Sequence, residues 1–101
     1  MLNILWKQPQ AWIFYEPVDP IKLNIPDYLV IIKQPMDLGT IKAKLHANQY
    51  LKFQDFLYDM NLVFENCILY NGENSTVSLM CKGVREEFKK LYYSLFMDYY
   101  I

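Results

Sequence analysis

The spacing of apolar residues predicts one long amphipathic helix from Phe53 to Asn71. Its apolar positions recur at steps of three and four, so they share one helix face, which must be buried. These positions are Phe53, Phe56, Leu57, Met60, Val63, Phe64, Cys67 and Ile68. The same steps lead to Asn71, and Gly72 behind it is a typical helix terminator. A carboxamide at the mouth of the core can bind an uncharged polar guest. Alternatively, Asn71 caps its own helix or bonds a neighbouring loop.

Two further helices follow the same logic. Asp37 is a favourable N-cap, and the apolar spacing behind it predicts a helix over about 37–47. A polar link with capping residues, 73–76, then leads into a final helix with one apolar face. That face comprises Val77, Met80, Cys81, Val84, Phe88, Leu91, Tyr92, Leu95, Phe96 and Tyr99. A shorter first helix around Leu2, Leu5 and Trp6 is expected to be truncated at its beginning.

All five prolines lie between Pro9 and Pro35, which excludes a long helix from this segment. The segment is rich in large apolar residues, so we expect it to pack on the helices, with a short helical turn over about 27–32. The predicted fold is all-α. It is a four-helix bundle with a long proline-rich loop between helices 1 and 2, formed by a single domain over residues 1–101.

The amino-acid composition argues against several classes of function. Ten basic and eleven acidic residues give a net charge of −1, and no basic cluster is present to track phosphates, so we expect no direct binding to nucleic acid. No apolar run approaches the roughly 20 residues of a membrane span. The start lacks a secretory signal, so a soluble intracellular protein is expected. Cys67 and Cys81 fall on apolar helix stripes, which favours buried reduced thiols over a disulfide.

Catalytic chemistry finds little support in the sequence. His46 is the only histidine, and it falls near the end of a surface helix. Cys67 would need a base beside it to act as a nucleophile, and no His-containing ligand set or paired cysteine motif indicates a metal. Three scattered glycines exclude a phosphate-binding loop. We therefore expect neither an enzyme nor a cofactor.

Several short motifs follow one another along the chain. They are Trp12-Ile13-Phe14, Pro17-Val18-Asp19, Leu23-Asn24-Ile25-Pro26-Asp27-Tyr28, Pro35-Met36-Asp37-Leu38-Gly39-Thr40-Ile41, Asn66-Cys67 and Tyr70-Asn71. Together they resemble a bromodomain, closest to the BET type. The resemblance implies a left-handed bundle of four helices with an acetyl-lysine pocket rimmed by the long loop and by the link after Asn71. It also implies acetylated histone tails as partners, transcription regulation on chromatin and a nuclear location. From its abrupt ends we expect the chain to be a fragment of a larger protein, and we expect the isolated domain to be monomeric.

The resemblance also implies a role for each site residue. Asn71 is similar to the asparagine that donates to the acetyl carbonyl, and Tyr28 to the tyrosine that reaches the same oxygen through a water. The walls, the outer shelf and the entrance account for the others: Phe14, Val18, Leu23, Ile25, Cys67, Tyr70, Val77, Trp12 and Ile13. Ile13 stands where the family's shelf motif usually has proline. Alternatively, Tyr28 and Phe14 only pack the loop onto the bundle.

An interaction scaffold is the second hypothesis. Aromatic residues near the C-terminus occupy more than one face of the last helix and suit a contact with another protein, although core packing and the helix end also explain them. They are Tyr92, Tyr93, Phe96, Tyr99 and Tyr100. In this alternative the pocket binds no acetyl group.

Overall fold

The computed structural model describes residues 2–97, with side chains as far as Ser94. Within this range the chain forms α-helices and one 3-10 helix, and no residue is in a strand. The α-helices are α1 (Leu2–Trp6), α2 (Tyr28–Ile31), α3 (Leu38–His46), α4 (Phe53–Asn71) and α5 (Thr76–Met97), and the 3-10 helix Ala11–Phe14 lies between α1 and α2. The all-α prediction is confirmed.

Helix α4 is the centre of the bundle. It packs along α5 and against α3, while α1 packs against α5. The apolar faces of these four helices meet in one core, to which the 3-10 helix adds Ala11 and Phe14. Phe64 and Met60 are fully buried in the middle of this core. No helix within residues 2–97 is both long and apolar enough to cross a membrane.

Local capping explains the bounds of α3. Asp37 is extended, with φ −148° and ψ 164°, and its side chain accepts a hydrogen bond from the Thr40 backbone N–H at 2.8 Å. The Thr40 hydroxyl donates to the other Asp37 oxygen at 2.6 Å. Two bonds to one carboxylate fix the first turn, which is the usual function of an N-cap aspartate.

A tight link joins α4 to α5. The Gly72 N–H donates to the Ile68 carbonyl at 2.8 Å, and Gly72 then turns the chain with φ +85°, a conformation that favours glycine. Ser75 caps the next helix because its hydroxyl accepts a hydrogen bond from the Ser78 N–H at 3.1 Å. The end of α4 and the start of α5 are therefore held side by side.

The proline-rich segment is fixed by a few anchors. The Tyr15 ring stacks on Trp6 with centroids 4.1 Å apart, and its hydroxyl donates to the Trp6 carbonyl. Phe14 meets Phe64 edge to face at 5.9 Å. At the other end, the buried Asn66 amide of α4 donates to the Gln34 carbonyl at 2.8 Å.

The expectation that this whole apolar segment packs on the helices was only partly right. Ala11, Phe14, Tyr28 and Ile32 are buried, but several other large apolar residues are exposed. These are Trp12, Ile21, Leu23, Leu29, Val30 and Ile31. The chain between the anchors makes local turns on the surface, such as the bond from the Ile25 N–H to the Pro20 carbonyl at 2.8 Å. A turn satisfies its own backbone and leaves its side chains outside.

Candidate functional site

A cavity of about 220 Å³ lies between the proline-rich segment, the second half of α4 and the start of α5. All the predicted site residues except Trp12 line it. They are Ile13, Phe14, Val18, Leu23, Ile25, Tyr28, Cys67, Tyr70, Asn71 and Val77. Trp12 is 61% exposed and lies outside the cavity, next to the lining residue Ile13, which is where the aromatic shelf was expected.

Four lining residues were missed by sequence reasoning. They are Glu16, Met36, Asp37 and Val63. Val63 precedes Cys67 by four residues on the same helix face, so helical spacing could have identified it. Met36 and Asp37 belong to a motif already quoted for the resemblance. For Glu16 the sequence offers no comparable signal.

Asn71 is the last residue of α4, and its exposed side chain lies at the mouth of the cavity. Its amide nitrogen donates to the Cys67 carbonyl at 2.9 Å and lies 3.7 Å from the Cys67 sulfur. The alternative in which Asn71 bonds its own helix is therefore realised in part. An amide nitrogen carries two hydrogens, and a thiol sulfur is a weak acceptor. A guest carbonyl can therefore take the second hydrogen from the amide.

Tyr28 is buried at the start of α2, between the loop and the bundle. It packs the loop onto the bundle, because its ring meets Tyr70 edge to face at 5.0 Å, and it also lines the cavity. Burial raises the pKa of the Tyr28 phenol above its usual value. The hydroxyl therefore stays protonated at neutral pH and keeps its ability to donate a hydrogen bond.

The cavity wall includes one of two neighbouring thiols. Cys67 and Cys81 are free and buried, as their positions on the helix stripes predicted. A hydrogen bond with Cys67, together with burial, raises the pKa of the Cys81 thiol. The Cys81 sulfur lies 3.5 Å from the Phe64 carbonyl, in the core behind the wall. His46 is exposed at the end of α3 and is not a lining residue, so it is not placed as a base for Cys67.

The link after Asn71 carries one acid, Glu73, and this carboxylate is paired with a lysine. The Lys82 ammonium bonds the Glu73 carboxylate and the Glu73 carbonyl, both at 2.9 Å. This contact lowers the pKa of the Glu73 carboxyl below its usual value. The negative charge of Glu73 is therefore already engaged by a cation of the same chain.

The side chains that the structure describes form no candidate metal site. Across residues 2–97, the side chains described include no cluster of three or more His, Cys, Asp or Glu residues that could hold an ion. The cavity lining contains only Glu16 and Asp37 as acids, and the Asp37 carboxylate is engaged by Thr40.

The aromatic residues of the scaffold hypothesis are only partly visible. Tyr92 is half-buried and stacks on Phe53 with centroids 6.1 Å apart, while Tyr93 is 55% exposed. Tyr99 and Tyr100 lie outside the described residues, as does the side chain of Phe96.

The fold and the cavity together define a small helical domain with a cavity between the loop, α4 and the start of α5. Sequence comparisons identify the family to which this helical domain belongs. The sequence model of the Bromodomain family matches residues 1–83. A fission yeast protein (Schizosaccharomyces pombe), "SWR1 complex bromodomain subunit bdf1", is 56% identical over 77 residues, which cover 76% of this chain and 13% of that protein. "Transcription factor GTE10" from Arabidopsis thaliana is 44% identical over 89 residues, covering 88% of this chain and 8% of that protein.

This chain belongs to the bromodomain family. It spans only a small part, 8% to 13%, of the curated relatives named above.

Proposed function

We propose that this domain binds acetylated lysine peptides in the cavity beside Asn71 and acts by recognition, without catalysis. The observation that carries the proposal is the Asn71 amide, placed at the mouth of a cavity with apolar walls. Asn71 donates to the acetyl oxygen, and Tyr28 contributes a second, water-mediated contact. Val77 borders the entrance, and Trp12 with Ile13 forms the outer shelf.

The same cavity discriminates against unmodified lysine. Acetylation replaces an ammonium with a neutral amide that carries a carbonyl acceptor. Apolar walls such as Val18, Ile25 and Cys67 impose a desolvation cost of several kcal/mol on a cation that finds no partner there. The Asn71 amide nitrogen offers only hydrogens, which suit a carbonyl and repel an ammonium. Selectivity therefore comes largely from exclusion of the charged form.

A single acetyl-lysine should bind weakly. One neutral hydrogen bond contributes about 0.5 to 1.5 kcal/mol. Burial of roughly 100 Å² of apolar surface adds about 2.5 kcal/mol. We expect a Kd between about 1 mM and 1 μM for a singly modified peptide. Neighbouring peptide contacts, a second mark or a second module would supply additional affinity.

Histone tails are the partners that we propose, which places the domain in the nucleus and in transcription regulation on chromatin. This proposal rests on the family and on two relatives whose names describe an SWR1 complex subunit and a transcription factor. We further propose that residues 1–101 act as one monomeric domain within a longer protein.

Calorimetry with paired peptides tests the proposal. Histone-tail peptides carrying no, one or two acetylated lysines are titrated into the domain, and thermal shifts are recorded in parallel. We expect heat and stabilisation only with the acetylated members. Equal responses to acetylated and unmodified peptides would exclude acetyl recognition and favour the scaffold alternative.

A further inference from the structure

A second concave surface lies between α4 and α5, on residues that take no part in the acetyl-lysine cavity. We call it the Arg85 groove. Its volume is about 200 Å³, and it is lined by Leu57 and Asn61 of α4 and by Arg85, Phe88, Lys89, Tyr92 and Tyr93 of α5. Among the residues that the structure describes, its lining contains two cationic side chains and no acid, whereas the whole chain carries a net charge of −1.

Arg85 is the unusual member of this groove. Its side chain is half-buried, and its Nε atom is buried without a hydrogen-bond partner among the described residues. A buried donor without a partner costs about 1 to 3 kcal/mol, and more when the group is charged. Such a group stands out in native structures, where most buried polar atoms are paired. A carboxylate suits this guanidinium because it can accept two parallel hydrogen bonds from it.

Lys89 supplies the second positive charge. Among the described residues, its ammonium pairs only with Glu86 of the same helix, at 3.4 Å, and the two side chains are 51% and 60% exposed. Exposed ion pairs at this spacing contribute little to stability. Lys89 can therefore exchange Glu86 for an acid of a ligand at little cost.

Apart from the Asn61 amide, the remaining described lining is apolar and aromatic. The Tyr92 and Tyr93 rings meet edge to face at 5.7 Å, and Leu57 lies across from them on α4. Rigid aromatic surface beside an arginine is typical of protein-binding hot spots. Two cations in a small, partly apolar groove do not form the row that a nucleic-acid backbone requires.

We propose that the Arg85 groove docks a short acidic peptide segment of another protein. An Asp or Glu carboxylate of the segment accepts hydrogen bonds from Arg85, and a second acid pairs with Lys89. An apolar residue between or beside the acids packs on Tyr93 and Leu57. The domain would then contact two partners at once, because the groove and the acetyl-lysine cavity share no lining residue.

An NMR titration of the ¹⁵N-labelled domain tests this inference. The probe is the blocked peptide Gly-Leu-Glu-Asp-Phe-Gly, and its matched control replaces Glu and Asp with Gln and Asn. We expect the acidic peptide to shift the Arg85 Nε–H and the amides around Arg85 and Lys89, while the neutral peptide leaves them in place. Equal shifts with both peptides would overturn the proposal. So would stronger shifts of the same signals with a single-stranded oligonucleotide.

Variants separate the groove from the cavity. We expect Arg85→Gln to weaken the acidic peptide at least about fivefold, or roughly 1 kcal/mol. Lys89→Gln should weaken it less. Lys90→Gln is the matched control, because Lys90 makes the same 3.4 Å contact with Glu87 but lies outside the groove. Asn71→Ala should leave acidic-peptide binding unchanged, so the two proposals can fail independently. Equal losses in Lys89→Gln and Lys90→Gln would contradict docking in the groove, even if Arg85→Gln were to disturb folding.

Discussion

The phenol of Tyr70 donates a hydrogen bond to the carboxylate of Asp27 across 2.5 Å. This contact joins the last turn of α4 to the residue that precedes α2. Each partner is next in sequence to a proposed ligand contact, Asn71 in one case and Tyr28 in the other. The bond therefore links the two segments that carry the groups proposed to meet at the acetyl oxygen.

We expect Tyr70→Phe to weaken acetyl-peptide binding by a factor of a few, because the loop that carries Tyr28 loses its bond to α4. Little change in melting temperature is expected, since the hydrogen bond itself is exposed to solvent. Calorimetry with an acetylated peptide measures the affinity.

Tyr58→Phe is the matched control for this variant. The Tyr58 hydroxyl also joins α4 to the proline-rich segment, at 2.6 Å from the Gln34 side chain, but Tyr58 does not line the cavity. Affinity should remain at the wild-type value in Tyr58→Phe. If both variants lost affinity equally, the Tyr70 bond would have no special part in positioning the site.

Removal of the Asn71 side chain should weaken binding without unfolding the bundle. For Asn71→Ala we expect a loss of about 1 to 3 kcal/mol in acetyl-peptide binding, because the guest oxygen loses its donor. The fold should persist, since Asn71 is exposed at the end of α4. Asn74→Ala is the control, because Asn74 is also exposed, in the link after Asn71. Unchanged calorimetric affinity in Asn71→Ala would remove this residue from the site.

Apolar spacing and capping residues in the sequence predicted the helices well. The bounds of α4 and the start of α3 follow from an apolar stripe, from the Asp37 cap and from Gly72, all of which act within a few residues. The stripe does not determine how deeply each member is buried. Phe53 lies on the predicted face of α4 and yet is 41% exposed, because it is in the first turn, at the end of the core.

Long-range polar contacts could not be predicted in the same way. Asp59 occupies a position that reads as polar surface, but it is buried and bonded to Lys44 and Tyr50. The Asn66 bond to the Gln34 carbonyl joins residues that are still further apart, 32 positions along the chain. Periodicity describes one helix at a time, so it contains no information about a partner on another element. For the site, the family motifs supplied what periodicity could not.

The buried Asp59 should make stability sensitive to alkaline pH through Tyr50. The Tyr50 hydroxyl donates to Asp59 at 2.6 Å, and burial together with this bond raises the pKa of Tyr50 well above its usual value. The folded state therefore holds this proton more tightly than the unfolded state. The resulting stability is complete below the unfolded pKa of about 10 and is lost as the pH rises above it.

Melting temperatures of the wild type and of Tyr50→Phe across about pH 8 to 11 test this prediction. The wild type should be the more stable protein at pH 8, because Tyr50→Phe leaves the buried Asp59 with one bond fewer. Its advantage should shrink above about pH 10, where only the wild type has this phenol to ionise on unfolding. A constant difference between the two curves would show that Tyr50 is not linked to stability in this way.

Two helical glycines should respond in opposite ways to alanine. A Cβ on Gly39, in the first turn of α3, would lie 2.3 Å from the Tyr15 carbonyl oxygen, so backbone must move to admit it. We expect Gly39→Ala to destabilise the domain by about 1 to 3 kcal/mol despite the better helix propensity of alanine. It should also weaken acetyl-peptide binding, because the displaced segment carries Phe14.

Gly83 in α5 is the matched control, since within the described part of the chain its Cβ would meet only the Gln10 side chain, at 3.6 Å. Gly83→Ala should stabilise the domain by about 0.5 to 1 kcal/mol. Urea unfolding of the three proteins measures both changes, and a shift of the same sign in the two variants would contradict the close approach at Gly39.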